Sequence, residues 1–268
     1  TICYEAFKAI AAQHNFPAGY AAPEVAVALM VQRLAHPAVY AVVAELDGRV
    51  VGSNFLDERS AIAGLGPITV DPDVQNRSIG RHLMQAVLER VDARQGLGVR
   101  LVLAGYHLRA LSLYAKLGFT VRDVMARMVG PPLALQIPGY TVRPAVLSDL
   151  DACNAICRHV HGHDRSGELR DAIGRGRATV AEQAGQLRGY ATLLGVAGHA
   201  VGESTAALQA LIGAATSFER GGFLVPLRHE ALFAWCLAVG LRMTVPQTLM
   251  SRGFYQEPVG AFLPSILY

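Results

Sequence analysis

Long apolar runs, dense basic patches and paired cysteines are all missing from this chain, and each absence narrows what it does. No stretch of about 18 or more apolar residues occurs, so the sequence offers no transmembrane helix. The first residues show no basic segment followed by an apolar core, so no secretory signal is expected. Basic and acidic residues number 24 and 21, a formal net charge of +3, and no Lys/Arg run stands out. Neither nucleic acid nor an anionic membrane is called for as a partner. The four cysteines, Cys3, Cys153, Cys157 and Cys236, lack CxxC pairing and the density of a disulfide scaffold, which points to reduced thiols and a cytoplasmic protein. Cys153 and Cys157, four apart on one helical face, read as small core residues and not as metal ligands. Charged residues make up only 17% and hydrophobic ones 52%, so the 268 residues can bury a sizeable core and an internal interface, as two ordinary domains or one large one.

The chemistry is concentrated from Ile68 to Gly80, with the helix that this stretch opens into. Ile68 and Val70 alternate with Thr69 and Asp71 at the two-residue period of a strand, which Asp71 and Pro72 stop. From Ile79 the period changes. Ile79, Leu83, Val87 and Val91 fall four apart with Met84 and Leu88 beside them, one face of a helix that Gly96 and Gly98 end. The loop between, Gln75-Asn76-Arg77-Ser78-Ile79-Gly80, aims unpaired backbone N–H groups and the positive end of a helix dipole at one point, an arrangement that binds phosphate. A plain strand-to-helix connection would read the same, so the context decides. Downstream come a strand at residues 99–104 and a short helix reading Ala110-Leu111-Ser112-Leu113-Tyr114-Ala115-Lys116-Leu117-Gly118-Phe119.

Val70-Asp71-Pro72, Gln75, Gly80 and Leu113-Tyr114 through Gly118-Phe119, in that order, resemble the acyl-CoA-dependent N-acetyltransferases of the GNAT superfamily. In that family a Val-x-Pro strand end precedes a Gln/Arg-x-x-Gly-x-Gly/Ala loop that cradles the coenzyme A pyrophosphate, and a Leu-Tyr-x-x-x-Gly-Phe segment supplies a tyrosine beside the thioester sulfur. The resemblance implies acetyl-CoA as co-substrate, held along Ile68, Thr69 and Val70 and by Gln75, Asn76, Arg77, Ser78, Ile79, Gly80 and Arg81. Tyr114 is then the catalytic acid that protonates the departing thiolate. Two residues depart from the pattern. Ser78 stands where the family has its first glycine, favoured for close approach to phosphate, so altered binding geometry is expected. His107 stands where many members carry an asparagine that contacts the pantetheine arm.

The implied reaction is direct transfer of an acetyl group to a primary amine of a small molecule or peptide, without a metal. Lysine-type amines are almost all protonated at pH 7, so a base or a water chain to one is needed. Asp57 and Glu58, after the second strand, are the nearest acidic candidates by chain position. The alternative, motivated by Ser78 and His107, is a non-catalytic acyl-CoA-binding sensor or partner-binding module. A homodimer is compatible with either.

Helices are expected at residues 1–14, with Ile2, Cys3, Phe7 and Ile10 as a stripe, and from Pro23, burying Val27, Met30, Val31 and Leu34. The loop between them, with Phe16, Pro17, Gly19 and Tyr20, belongs to the acceptor side in the resembling family. Strands at 40–46 and 49–55 are joined by Asp47-Gly48, a hairpin signal. The strand at 61–70 is interrupted by Gly64, Gly66 and Pro67, which suits a bulge beside a ligand. Gly130-Pro131-Pro132 and Pro138-Gly139 bracket a linker. Beyond it a strand at 140–143 and a helix to about Val160, capped by Ser148 with Asp151, are expected.

The pattern Ala-x-Val-Ala-Glu-x-x-Gly-x-x-x-Gly at residues 41–52 recurs at 178–189. The chain thus reads as α/β (α+β), with two tandem GNAT-like domains, each a mixed, mostly antiparallel twisted sheet flanked by helices. Residues 1–130 form the catalytic domain, 131–139 a linker and 140–268 a degenerate copy. In that copy a strand and half a helix precede Ile156-Cys157, the echo of Ile2-Cys3, so a further strand is expected ahead of Thr1. The degenerate copy lacks a cofactor loop, because His199-Ala200-Val201-Gly202 runs almost directly into Glu203-Ser204 and a helix, where a carboxylate repels pyrophosphate. Cys236 falls at the tyrosine's position. Elsewhere, His159, His161, His163 and Asp164 read as a helix end that favours cations and not as a metal site. Arg165, Arg170, Arg175 and Arg177 read as a solvated helix face, with acidic-substrate binding as the other reading. Trp235, with Leu232, Phe233 and Leu237, reads as core.

Overall fold

The computed structural model describes residues 1–219 and 221–267. Helices α1 (Ile2–Gln13) and α2 (Pro23–Leu34) come first, followed by a hairpin of β1 (Val39–Leu46) and β2 (Arg49–Asp57). Asp47 and Gly48 take φ of 51° and 72°, the left-handed pair a two-residue turn demands, and Leu46 lies opposite Arg49. β3 (Ile62–Leu65) and β4 (Thr69–Val70) share one strand, interrupted at Gly66 and Pro67; a 3-10 turn at Pro72–Val74 then leads to α3 (Ile79–Ala93). Leu83, Met84, Val87, Leu88 and Val91 are all buried, so the apolar stripe of α3 faces the core. β5 (Gly98–Ala104), α4 (Leu108–Lys116) and β6 (Thr120–Val129) complete the first half. The second half runs β7 (Tyr140–Pro144), α5 (Leu150–His161), α6 (Ser166–Gly174), β8 (Thr179–Gln183), β9 (Gln186–Ala191), β10 (Ala200–Gly202), α7 (Thr205–Ala214), β11 (Phe223–Pro226), α8 (Glu230–Ala238), β12 (Arg242–Gly253) and β13 (Ala261–Leu263).

The repeated sequence pattern folds twice into the same local structure. Ala184 and Gly185 (φ 49° and 73°) turn the β8–β9 hairpin as Asp47 and Gly48 turn the first. Both hairpins carry a register shift at the same place, between Ala44 and Glu45 and between Ala181 and Glu182. α4 and α8, nine residues each, begin from His107 (φ −85°, ψ 65°) and His229 (φ −84°, ψ 64°). Each is followed by a left-handed glycine, Gly118 (φ 86°) or Gly240 (φ 90°).

The strands after those glycines cross between the halves. The larger sheet has the order β1-β2-β3-β5-β12-β6-β11, with β4 also on β2, so β12 inserts antiparallel between β5 and β6, and β11 pairs with β6. The cores follow the exchange. Met250 of β12 packs with Leu101, Leu103 and Tyr114, while Ala126 and Met128 of β6 pack with Phe223, Leu232 and Leu241. The sheets therefore do not divide where residues 131–139 divide the chain. The larger sheet is mixed through the parallel β3–β5 pair, whereas the smaller one, β13-β10-β9-β8-β7, is antiparallel throughout its described pairs and not mixed as expected. β8 is paired on both sides, but the outer edge of β1 pairs with no strand among the described residues.

Two local expectations give way. On α2, Val27, Val31 and Leu34 are exposed (46%, 60% and 65%) and Met30 is half-buried. The inward face is instead Ala26, Leu29, Met30 and Arg33, spaced for one helical stripe, and Arg33 reaches in to the buried Asp57 (2.9 Å). The cap before α5 is a bond from Val146 N–H to Asp149 Oδ2 (2.8 Å), with that carboxylate also held by Arg143 (2.7 Å), and not the expected Ser148 with Asp151. All four cysteines are buried and free. Among the described residues no helix is long and apolar enough to cross a membrane.

Candidate active site

β3 and β5 run parallel and pair only from Ile62 opposite Gly98 to Gly64 opposite Arg100. Beyond that point β4 stays on β2, with Val70 opposite Gly52, while β5 continues to Ala104 paired with β12 alone. The two strands splay and leave a gap between them. Asp71 N–H donates to the Val51 carbonyl (2.8 Å), so by antiparallel alternation the N–H and C=O of Val70 point away from β2 toward the gap, and those of Ile68 share that direction. Thr69 is buried, with its hydroxyl 3.2 Å from that of Ser53. Gly52 lets β4 lie close, since a Cβ there would meet the Thr69 carbonyl oxygen at 2.8 Å.

At the mouth of the gap, residues 75–81 wind into α3. Asn76 (φ 68°) and Ser78 (φ 61°) both hold a left-handed backbone. Serine at 78 is therefore a conformational cost as well as a question of approach. Ser78 makes no side-chain cap, and its carbonyl accepts from His82 N–H (3.1 Å). The first-turn N–H groups of Ile79, Gly80 and Arg81 thus have no acceptor within the helix, and with the dipole they form an anion site. Gly80 lies between the lips of the gap: a Cβ there would contact Val70 at 3.8 Å and Leu113 at 3.9 Å. Gln75 donates from Nε2 to the Val70 carbonyl (3.2 Å). Arg109, from the first turn of α4, donates to Gln75 Oε1 and to Asn76 Oδ1 (2.9 Å). Nothing in the sequence singles out Arg109, which reads as one more solvated residue at a helix start; only the fold brings it to this loop.

His107 precedes α4, and its Nδ1 is buried with no hydrogen-bond partner. Burial, with the charge of Arg109 and then His14, pushes its pKa down to about 4, so the imidazole is neutral at pH 7. An orphaned ring nitrogen and the outward Val70 N–H suit the amides of a pantetheine arm, and the α3 N-terminus suits a diphosphate, so these residues fit coenzyme A. Tyr114 is 6% exposed, packed in the first core beside Phe119 (6.1 Å between ring centres). Burial pushes its hydroxyl pKa up and keeps it protonated. Past the end of β5, Tyr106 stacks on Phe16 (4.4 Å) with His14 beside it (5.3 Å), so the α1–α2 loop lies against this end of the sheet.

Several sequence candidates are not brought here. Asp57 is bound by Arg33 (2.9 Å) and Arg59 (2.6 Å), and Glu58 by Arg90 (3.0 Å) and Arg94 (3.3 Å) at the opposite end of α3 from the loop. Their oxygens are engaged by guanidinium groups. His161 and His163 are buried and their pKa values lie below the ordinary range, first through burial and then through Arg100, so they are neutral and not the helix-end cations expected. Among the described residues no cluster of His, Cys, Asp or Glu could hold a metal ion. Arg165 is 2% exposed and pairs with Glu168 (2.6 Å), so it leaves the solvated face on which Arg170, Arg175 and Arg177 remain. Trp235 is partly buried against the second core.

In the second half the corresponding gap is filled. β13 pairs with β10 and lies against β11. Only Glu203 and Ser204 connect β10 to α7, and the Ser204 hydroxyl accepts from Ala207 N–H (3.3 Å), capping the helix end that would face an anion.

The two strands thus part with a helix N-terminus at the mouth of their gap. Residues 37–121 match the family model "Acetyltransferase (GNAT) domain". No curated protein sequence matches it significantly. The whole chain is similar in fold to a "Putative Acetyltransferase" from Pyrococcus horikoshii, with a TM-score of 0.70 at 19% identity over 93% of this chain and 85% of that one. It is likewise similar to a GCN5-related N-acetyltransferase from Sphaerobacter thermophilus, with a TM-score of 0.61 at 17% identity over 95% and 92%. At these identities the likeness is one of fold, and it runs through both halves.

Proposed function

We propose that this protein is a cytoplasmic N-acetyltransferase that moves the acetyl group of acetyl-CoA to a primary amine of a small molecule or peptide. Residues 1–130 carry the catalysis, 131–139 link, and 140–268 form a partner copy without a cofactor site. The observation that carries this reading is the set of free N–H groups at residues 79–81, at the mouth of the β4–β5 gap. Those groups hold the diphosphate, while Val70 and His107 meet the pantetheine amides. The Ile68 N–H supports the negative charge that builds on the thioester oxygen as the amine nitrogen bonds to the carbonyl carbon. Tyr114 gives its proton to the sulfur as the carbon–sulfur bond breaks. Since Asp57 and Glu58 are held by arginines, water in the gap takes the proton that the amine must lose.

The same engaged carboxylates favour a second reading, a non-catalytic acyl-CoA sensor. A free-thiol assay with acetyl-CoA across a panel of amines, beside calorimetry with coenzyme A, separates the two. Thiol release that depends on the amine supports transfer; binding without release supports the sensor. Absence of binding overturns both.

A further inference from the structure

We infer that Arg109 is a two-position phosphate residue, which latches the lips of the gap together when no cofactor is bound and turns to the cofactor's phosphates when one is. The inference rests on the proposed coenzyme A site and adds to it a side chain from the opposite wall.

Its present bonds go to two neutral amide oxygens, Gln75 Oε1 and Asn76 Oδ1, across the mouth from α4 to the loop before α3. Among the described residues no carboxylate pairs with Arg109, whereas Arg33, Arg59, Arg90 and Arg165 are each ion-paired. An uncompensated guanidinium thus stands at the positive end of a helix dipole, a placement that is unfavourable until an anion lies between them. Its charge is also felt by His107, on the pantetheine side of the same mouth.

In the empty site the latch also braces the loop. Asn76 and Ser78 hold left-handed backbones without being glycine, and Ser78 supplies no side-chain cap, so the loop's shape depends on bonds from outside it. The chain from Arg109 through Gln75 to the Val70 carbonyl provides them. A phosphate accepts the same guanidinium bonds and adds the opposite charge that an amide oxygen lacks. Exchanging Gln75 and Asn76 for a diphosphate is therefore favourable for Arg109.

The test is calorimetry of the intact wild-type chain, R109A and R109K with coenzyme A and with pantetheine, which has no phosphate, over a range of salt concentrations. R109A is expected to weaken coenzyme A by about 10- to 100-fold and to flatten its salt dependence, with pantetheine affinity unchanged. R109K is expected to recover part of the loss. Equal coenzyme A affinity and salt slope in R109A and wild type overturn the inference. So does a parallel loss of both ligands in R109A and R109K, because Arg109 then only shapes the loop. Wild-type protein that binds neither ligand overturns the coenzyme A site itself, a distinct failure.

Discussion

Ala104, the last residue of β5, lies opposite Gln247 of β12, a residue from the other half of the chain. The wall of the proposed cofactor gap is thus built on a strand that residues 1–130 do not contain, and Met250 of the same strand completes the core around Tyr114. Without β12 the facing edges of β5 and β6 are bare, and bare edges pair with other chains. Residues 1–139 produced alone are expected to aggregate, and the intact chain to melt in one calorimetric transition. Two well-separated transitions would contradict the exchange as a stabilising feature.

Tyr114→Phe keeps the ring in the core and removes the proton. Turnover is expected to fall by about 10²- to 10⁴-fold, the range of acid catalysis, while coenzyme A affinity changes by less than about twofold. Steady-state kinetics beside calorimetry measure both. Unchanged turnover would take Tyr114 out of the reaction.

His107→Ala removes the orphaned Nδ1. Losing one neutral hydrogen bond of about 0.5–1.5 kcal/mol should weaken coenzyme A by up to about tenfold. His107→Asn should restore the affinity, since an amide also offers an acceptor and donor. Calorimetry showing no loss on alanine substitution would leave the imidazole without a part in binding.

Acid should destabilise the second half's buried histidines. Burial first, then Arg100 on His163 and Arg165 on His199, pushes each pKa down to about 4. Glu168 and Arg59 also face His199, and Asp164 and Arg165 also face His163. The unfolded rings take protons near pH 6.5, so the unfolded state binds more protons in between, and stability is full above about pH 6.5 and drains as pH falls toward 4. Glu168, which Arg165 and His199 hold below its ordinary pKa against burial, extends the loss to lower pH. Thermal melting midpoints across this window should be level above pH 6.5 and drop below it; a flat profile down to pH 4 would contradict the neutral buried rings.

Local features were legible in the sequence where a few adjacent residues decide them. Asp47-Gly48 dictates its turn by backbone conformation, and the stripe from Leu83 to Val91 dictates the buried face of α3. The pairing of β12 with β5 was not legible, because a strand buried on both faces looks the same whichever neighbour it has. On α2 the apolar residues misled: Val27, Val31 and Leu34 lie exposed while Arg33 turns inward to Asp57. In the site, the N–H groups at residues 79–81 follow from the strand-loop-helix order, whereas Arg109 and the capture of Asp57 and Glu58 by arginines depend on contacts between residues far apart in the chain.

The most direct measurement is a crystal structure with coenzyme A. The expected result is a diphosphate against the N–H groups of Ile79, Gly80 and Arg81, the pantetheine arm between β4 and β5, and no ligand between β10 and β11, where β13 already lies. A vacant loop at Gly80 with coenzyme A seated in the second half would contradict it.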